Sequence, residues 1–140
     1  VQVHKGQHHR EVREQQPLDG LIDQADALQA LRQRGLRLGI STHGYAEMLR
    51  ADALAPSYIA LGAVFPTTLK RMATAPQGLA RLRAYAQLMR HYPLVAIGGI
   101  DAMRLQAVLD CGVGSVAVVR ALVEASDPET TARAWMAAMP

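Results

Sequence analysis

Residues 94–112 read LVAIGGIDAMRLQAVLDCG, and this stretch decides the fold class. Leu94-Val95-Ala96-Ile97 is a short, continuous apolar run that ends at the pair Gly98-Gly99. A run without polar alternation suits a strand buried on both faces, as in a parallel sheet covered by helices. Asp101 then stands where an N-cap belongs, ahead of Met103-Arg104-Leu105, and Gly112 after Asp110-Cys111 supplies the stop. The unit is a strand, a glycine turn, a capped helix and a glycine terminator.

Working outward, the unit repeats. Strands are predicted over 36–41, 58–62, 94–98 and 115–119, and helices over 25–34, 45–52, 78–90, 102–110 and 129–139. The helical readings rest on period: Leu79, Leu82, Ala86 and Met89 recur at three- and four-residue steps, with Arg81, Arg83 and Arg90 between them. Gly35 stops the first helix, and Asp127-Pro128-Glu129 is a cap followed by proline at the first helical position. Strand–helix–strand order implies right-handed crossovers and an α/β fold. Residues 1–5 can form a further strand, but 6–16 are polar, His-rich and charged. Residues 1–20 are therefore expected to be an irregular segment ahead of a folded part over 21–140.

Composition excludes several classes. The chain has 140 residues, 50% hydrophobic and 19% charged, which is room for one domain with a real core and too apolar for intrinsic disorder. No apolar run approaches the roughly 18–20 residues of a membrane span. Lys5, Arg10, His4, His8 and His9 keep the first ten residues from serving as a signal-peptide core. A single cysteine, Cys111, makes no intrachain disulfide and points to a cytoplasmic setting. A net charge of +3 suits an anionic ligand, and with 4% aromatics it argues for no nucleic-acid partner.

In βα folds, ligands bind at the C-terminal strand ends. The four ends here are Ser41-Thr42-His43-Gly44, the segment from Gly62 to Lys70, Gly98-Gly99, and Val118-Val119-Arg120. A glycine pair lets backbone N–H groups approach an anion, and the following helix N-terminus adds partial positive charge. Two consecutive loops of this kind make the usual phosphate pocket of a barrel. A lone glycine pair also reads as a plain tight turn; Arg120 at the same edge tips it toward an anion. Lys70 can hold a diphosphate as a point charge, with Thr67 and Thr68 hydroxyls beside it, or be a solvated surface lysine. His43 can act as a general acid or base, with Ser41 beside it; the alternative is a capping serine and a hydrogen-bonded histidine at a helix entry. His4, His8 and His9 have no Cys or carboxylate at ligand spacing and read as solvated. Cys111 and Trp135 read as packing.

Taken together, Gly39-Ile40-Ser41-Thr42-His43, Tyr58-Ile59-Ala60-Leu61-Gly62 and Val64-Phe65-Pro66-Thr67 resemble the thiamine-phosphate synthase family. So do Ala75-Pro76-Gln77-Gly78-Leu79, Val95-Ala96-Ile97-Gly98-Gly99-Ile100 and Gly114-Ser115-Val116-Ala117-Val118-Val119, in the same order and spacing from Leu36 onward. The resemblance implies a (β/α)8 TIM-type barrel, of which this chain carries about the last four or five βα units. It also implies a transferase that joins a pyrimidine diphosphate to a thiazole phosphate with Mg²⁺ assistance, releasing diphosphate. By position, Ser41 and Lys70 would contact the pyrimidine diphosphate, with Lys70 also stabilising the departing diphosphate. Thr67, Thr68, Gly99, Val119 and Arg120 would hold the thiazole phosphate.

The pattern also departs from the family. Leu69 stands where a second hydroxyl is usual, and Arg120 where a serine is usual. The magnesium aspartate is matched only poorly, by Asp26 in Gln24-Ala25-Asp26 or by Gly6-Gln7-His8-His9, which has no carboxylate, and the earlier strands with their Gln-Leu-Arg and Asn-Asp motifs have no counterpart. A complete barrel takes about 250 residues, so a partial barrel is expected to self-associate over its open edges. The chain alone is expected to retain much of the thiazole-phosphate pocket and to be impaired in coupling. Two alternatives stand beside this: a thiazole tautomerase or regulator of the same superfamily, using His43 as proton shuttle, and a non-catalytic phosphate-binding module. Phe65-Pro66-Thr67 favours the synthase; Leu69 and the partial aspartate match favour the tautomerase.

Overall fold

The computed structural model of the chain describes residues 2–4, 25–67 and 74–139. Five strands form one sheet in sequence order: β1 (Gln2–His4), β2 (Arg37–Thr42), β3 (Tyr58–Leu61), β4 (Leu94–Ile97) and β5 (Ser115–Ala117). The helices are α1 (Ala25–Gln33), α2 (Tyr45–Ala53), α3 (Gly78–Leu88), α4 (Ala102–Leu109), α5 (Arg120–Val123) and α6 (Pro128–Ala138). β2 to β5 are parallel, each reached through a helix, which is the α/β pattern of a partial barrel.

The elements end where local chemistry ends them. Gly35 and Gly112 adopt the left-handed conformation after α1 and α4, at φ of 72° and 92°. The Asp101 carboxylate accepts from the Arg104 N–H at 3.0 Å, and Asp127 accepts from the Thr130 N–H at 3.0 Å, so both predicted N-caps are formed. Two features differ from expectation. β1 runs antiparallel to β2, with Gln2 opposite Gly39 and His4 opposite Arg37, so it is not a fifth βα unit. The fourth predicted strand stops at Ala117, and the chain turns into the short helix α5, which is too brief to leave a period in the sequence.

Both sheet faces were expected to be buried; the helix-side face is buried across β2 to β4, and the opposite face only in part. Ile40, Ile59 and Leu94 lie side by side across three strands, as do Thr42, Leu61 and Ala96. This face is buried against the helices: Met48 and Ala51 of α2, Leu82 and Ala86 of α3, Leu105 and Val108 of α4, and Trp135 of α6. Burying one such Ile or Leu fully stabilises the fold by about 1.5–3 kcal/mol. The opposite face carries Gly39, Ser41, Tyr58, Ala60, Val95, Ile97, Ser115 and Ala117 in the alternate positions, with the Tyr58 ring lying against Gly39. Side chains there are mostly small, and at its C-terminal end this face opens into a cavity.

Cys111 belongs to the helix-side core, where burial pushes its thiol above the ordinary value. It is a packing residue, as its sequence position suggests. No helix among the described residues is long and apolar enough to cross a membrane.

Candidate functional site

A cavity of about 670 Å³ lies at the C-terminal ends of the parallel strands. Its wall brings together six of the residues singled out above: Ser41, His43, Thr67, Gly99, Val119 and Arg120. They come from four separate strand ends, and the parallel register delivers all four to one rim. Thr68 and Lys70, with Leu69, lie outside the described residues, as do His8 and His9. Asp26 sits exposed in the first turn of α1 and is not part of the cavity wall.

The floor of the site is built by two loops held face to face. The Val64 N–H donates to the Ile97 carbonyl at 2.9 Å, and the Phe65 N–H donates to the Gly98 carbonyl at 3.0 Å. Gly98 and Gly99 both take positive φ, 101° and 65°. A Cβ on Gly98 would stand 2.6 Å from the Ala63 Cβ, and one on Gly99 would stand 2.5 Å from the Pro66 carbonyl oxygen. The pair is therefore glycine for two reasons at once, conformation and closeness. Among the described residues, no group accepts a hydrogen bond from the N–H of Gly99 or Ile100. Donors of this kind in a glycine turn that leads into a capped helix make an anion-binding concavity.

The ionisable side chains of the wall are each held by a partner. Arg104 donates to the Gly99 carbonyl at 2.8 Å, lies 3.4 Å from the Asp101 carboxylate, and stacks 4.7 Å over the Phe65 ring. Arg120 binds Glu124 through two nitrogens, at 2.8 and 3.1 Å. The hydrogen bond from Arg120, ahead of its charge, holds the Glu124 carboxyl below the ordinary value. His43 is tethered to Glu47, which accepts from its backbone N–H at 2.9 Å and meets its Nδ1 at 2.9 Å. From the far side, Gln77 Nε2 donates to the His43 carbonyl at 2.7 Å. Thr42 also lines the cavity, and its buried hydroxyl donates to the Ala60 carbonyl at 3.1 Å.

Two charged wall residues were not singled out from the sequence. Glu124 is three residues before the Asp127 cap, and its only signal was the four-residue step to Arg120. Arg104 read simply as a helix residue, although it stands three places after the Asp101 cap. Its contact with Phe65 spans 39 positions and leaves no local trace.

The expected magnesium site can be tested against these donors. Mg²⁺ takes oxygen ligands in near-octahedral geometry, with one or two free carboxylates. At this rim Asp101 is taken by a helix cap and Arg104, Glu124 by Arg120, and Glu47 by His43. No group of three or more His, Cys, Asp or Glu that could hold a metal occurs among the described residues. The described donor set does not fit the ion.

Comparisons with known proteins agree with one another. The family profile described as thiamine monophosphate synthase matches residues 21–122. A thiamine-phosphate synthase of Neisseria meningitidis serogroup B is 54% identical over 116 residues, covering 83% of this chain and 56% of its own. One from Serratia proteamaculans is 56% identical over 106 residues, covering 76% and 50%. The chain thus spans about half the length of these curated relatives. Among solved structures, thiamine phosphate pyrophosphorylase from Pyrococcus furiosus superposes with a TM-score of 0.68 at 28% identity, covering 90% of this chain and 57% of that one. A 3-hexulose-6-phosphate synthase superposes with a TM-score of 0.62 at 23% identity, covering 87% and 57%, a likeness of fold. With the profile spanning most of the chain and identity above half, this chain belongs to the thiamine monophosphate synthase family.

Proposed function

We propose that the cavity holds the phosphate of a phosphorylated thiazole, and that the chain contributes this part of a thiamine-phosphate synthase active site. The observation that carries the reading is the Gly98-Gly99 turn. Two adjacent N–H groups there have no acceptor among the described residues, and the turn opens into the same cavity as Thr67, Val119 and Arg120. A phosphate would accept from the Gly99 and Ile100 amides and gain the partial positive charge at the start of α4.

In the full reaction a pyrimidine diphosphate loses diphosphate and its carbon is captured by the thiazole nitrogen. This chain's share is positioning, which turns an encounter of two substrates into a local event. Ser41 at the end of β2 faces the same cavity and is assigned to the pyrimidine side. Lys70 and Thr68 are assigned to the phosphates, Lys70 stabilising charge on the leaving diphosphate as a point cation. The curated relatives named above are synthases, which does not favour the tautomerase reading of His43. Its tether to Glu47 then serves to hold the cavity wall. Among the described residues β5 pairs only with β4, and its free edge is where a second copy would extend the sheet.

Calorimetric titration of the 140-residue chain tests the reading. Saturable binding of the phosphorylated thiazole, lost with the dephosphorylated alcohol, is expected; no binding of the phosphorylated form defeats it. Robust coupling by this chain alone, given both substrates and Mg²⁺, would defeat the assignment of a partial site.

A further inference from the structure

We propose that Arg104 is a positioning residue: its guanidinium clamps the Gly98-Gly99 turn onto the Phe65 loop and so aims the amides that receive the phosphate. The inference rests on the phosphate reading above and adds to it a side chain that acts through the turn it holds.

Three contacts on one guanidinium carry it. Nη1 donates to the Gly99 carbonyl at 2.8 Å, the same nitrogen lies 3.4 Å from Asp101 Oδ2, and Cζ sits over the Phe65 ring, 4.7 Å from its centroid. The first contact sets an orientation. In a trans peptide the carbonyl and the next N–H point in opposite directions. Holding the Gly99 oxygen toward Arg104 therefore directs the Ile100 N–H the other way, and that N–H has no acceptor among the described residues. The stacking contact ties the same turn to the loop of Phe65, Pro66 and Thr67. On the backbone side these loops are already joined by the Val64 and Phe65 hydrogen bonds. The turn is gripped from both sides.

Glycine at 98 and 99 makes this grip necessary. The pair is free to visit many backbone conformations, so something outside the turn must select one. Asp101 completes the device, since its carboxylate caps the Arg104 N–H and also faces the guanidinium. A lysine would keep the charge but lose the fixed fork that meets the Gly99 carbonyl, Asp101 and the Phe65 ring together.

The test compares the wild-type chain with Arg104→Met and Arg104→Lys. Affinity is measured for the phosphorylated thiazole and for its dephosphorylated alcohol, and amide exchange is followed at Phe65. Arg104→Met should weaken the phosphorylated ligand about tenfold relative to the alcohol, roughly one decade of Kd, and speed Phe65 exchange severalfold. Arg104→Lys should recover only part of either. An unchanged ratio of the two affinities, an equal loss for both ligands, or unchanged Phe65 exchange in a folded variant would overturn the clamp. Failure of the wild-type chain to bind the phosphorylated thiazole would instead overturn the phosphate reading itself. Phe65→Leu is the second variant: it removes the stack and should reproduce part of the Arg104→Met loss of ratio, and no loss would count against the clamp.

Discussion

Replacing Gly99 with alanine would place a methyl group 2.5 Å from the Pro66 carbonyl oxygen and 2.8 Å from the Phe65 Cβ. Both neighbours belong to a loop that is itself hydrogen-bonded to the Gly98 carbonyl, so neither can give way without opening the floor of the cavity. The substitution has two separable costs. Holding alanine at a φ of 65° costs about 1–2 kcal/mol, and forcing the packed loop apart adds about 1–3 kcal/mol. Gly35 is the internal control. Its φ is 72°, but a Cβ there meets nothing within 4 Å, so Gly35→Ala carries the conformational cost alone. Urea unfolding of both variants measures the difference. With a slope of about 1–3 kcal/mol per molar, Gly99→Ala should fall below Gly35→Ala by roughly 1 M in midpoint. It should also lose phosphorylated-thiazole binding, which Gly35→Ala retains. Equal midpoints, or a Gly99→Ala chain that binds like the wild type, would refute the account of this turn.

Ile59 is fully buried between Ile40 and Leu94 in the middle of the sheet; Ile59→Ala should cost about 2–5 kcal/mol in urea unfolding, and a loss below 1 kcal/mol would contradict the packing described. At the other end of the strands, Asp52 accepts from the Tyr92 hydroxyl at 2.9 Å and meets His91 at 3.3 Å. Hydrogen bonds from Tyr92, then His91, hold its carboxyl below the ordinary value of 3.8. A depressed folded-state pKa gives stability that is present above the unfolded value and lost as pH falls through the folded one. The midpoint of Asp52→Asn should therefore lie below that of wild type near pH 6, and the gap should close as pH drops below 3.8; a gap that widens on acidification would reverse the sign.

Much of the molecule was legible because its signals are local. Caps at Asp101 and Asp127, glycine stops at Gly35 and Gly112, and the Gly98-Gly99 turn each act within a few residues. Parallel pairing then had to bring the four strand ends together, which is why Ser41, His43, Thr67, Gly99, Val119 and Arg120 share one wall. What stayed hidden depends on distant partners. The continuous apolar runs concealed a period-two alternation in size: Ile40, Ile59 and Leu61 face the helices, while Gly39, Ser41 and Ala60 lie on the opposite face, of which Ser41 reaches the cavity. The antiparallel course of β1 is a choice of pairing made by the sheet edge, with no signature in the strand itself. Arg104 looked like any helix arginine until the fold set Phe65 beneath it.

The central claim is that a phosphate sits on the amides of the strand-end turns. The most direct measurement is amide chemical-shift mapping of the chain during titration with the phosphorylated thiazole. The account predicts saturable shifts led by Gly99 and Ile100, with Thr67, Val119 and Arg120 following at the same ligand concentrations. Shifts confined to residues away from this rim, or a spectrum unchanged at saturating ligand, would contradict it.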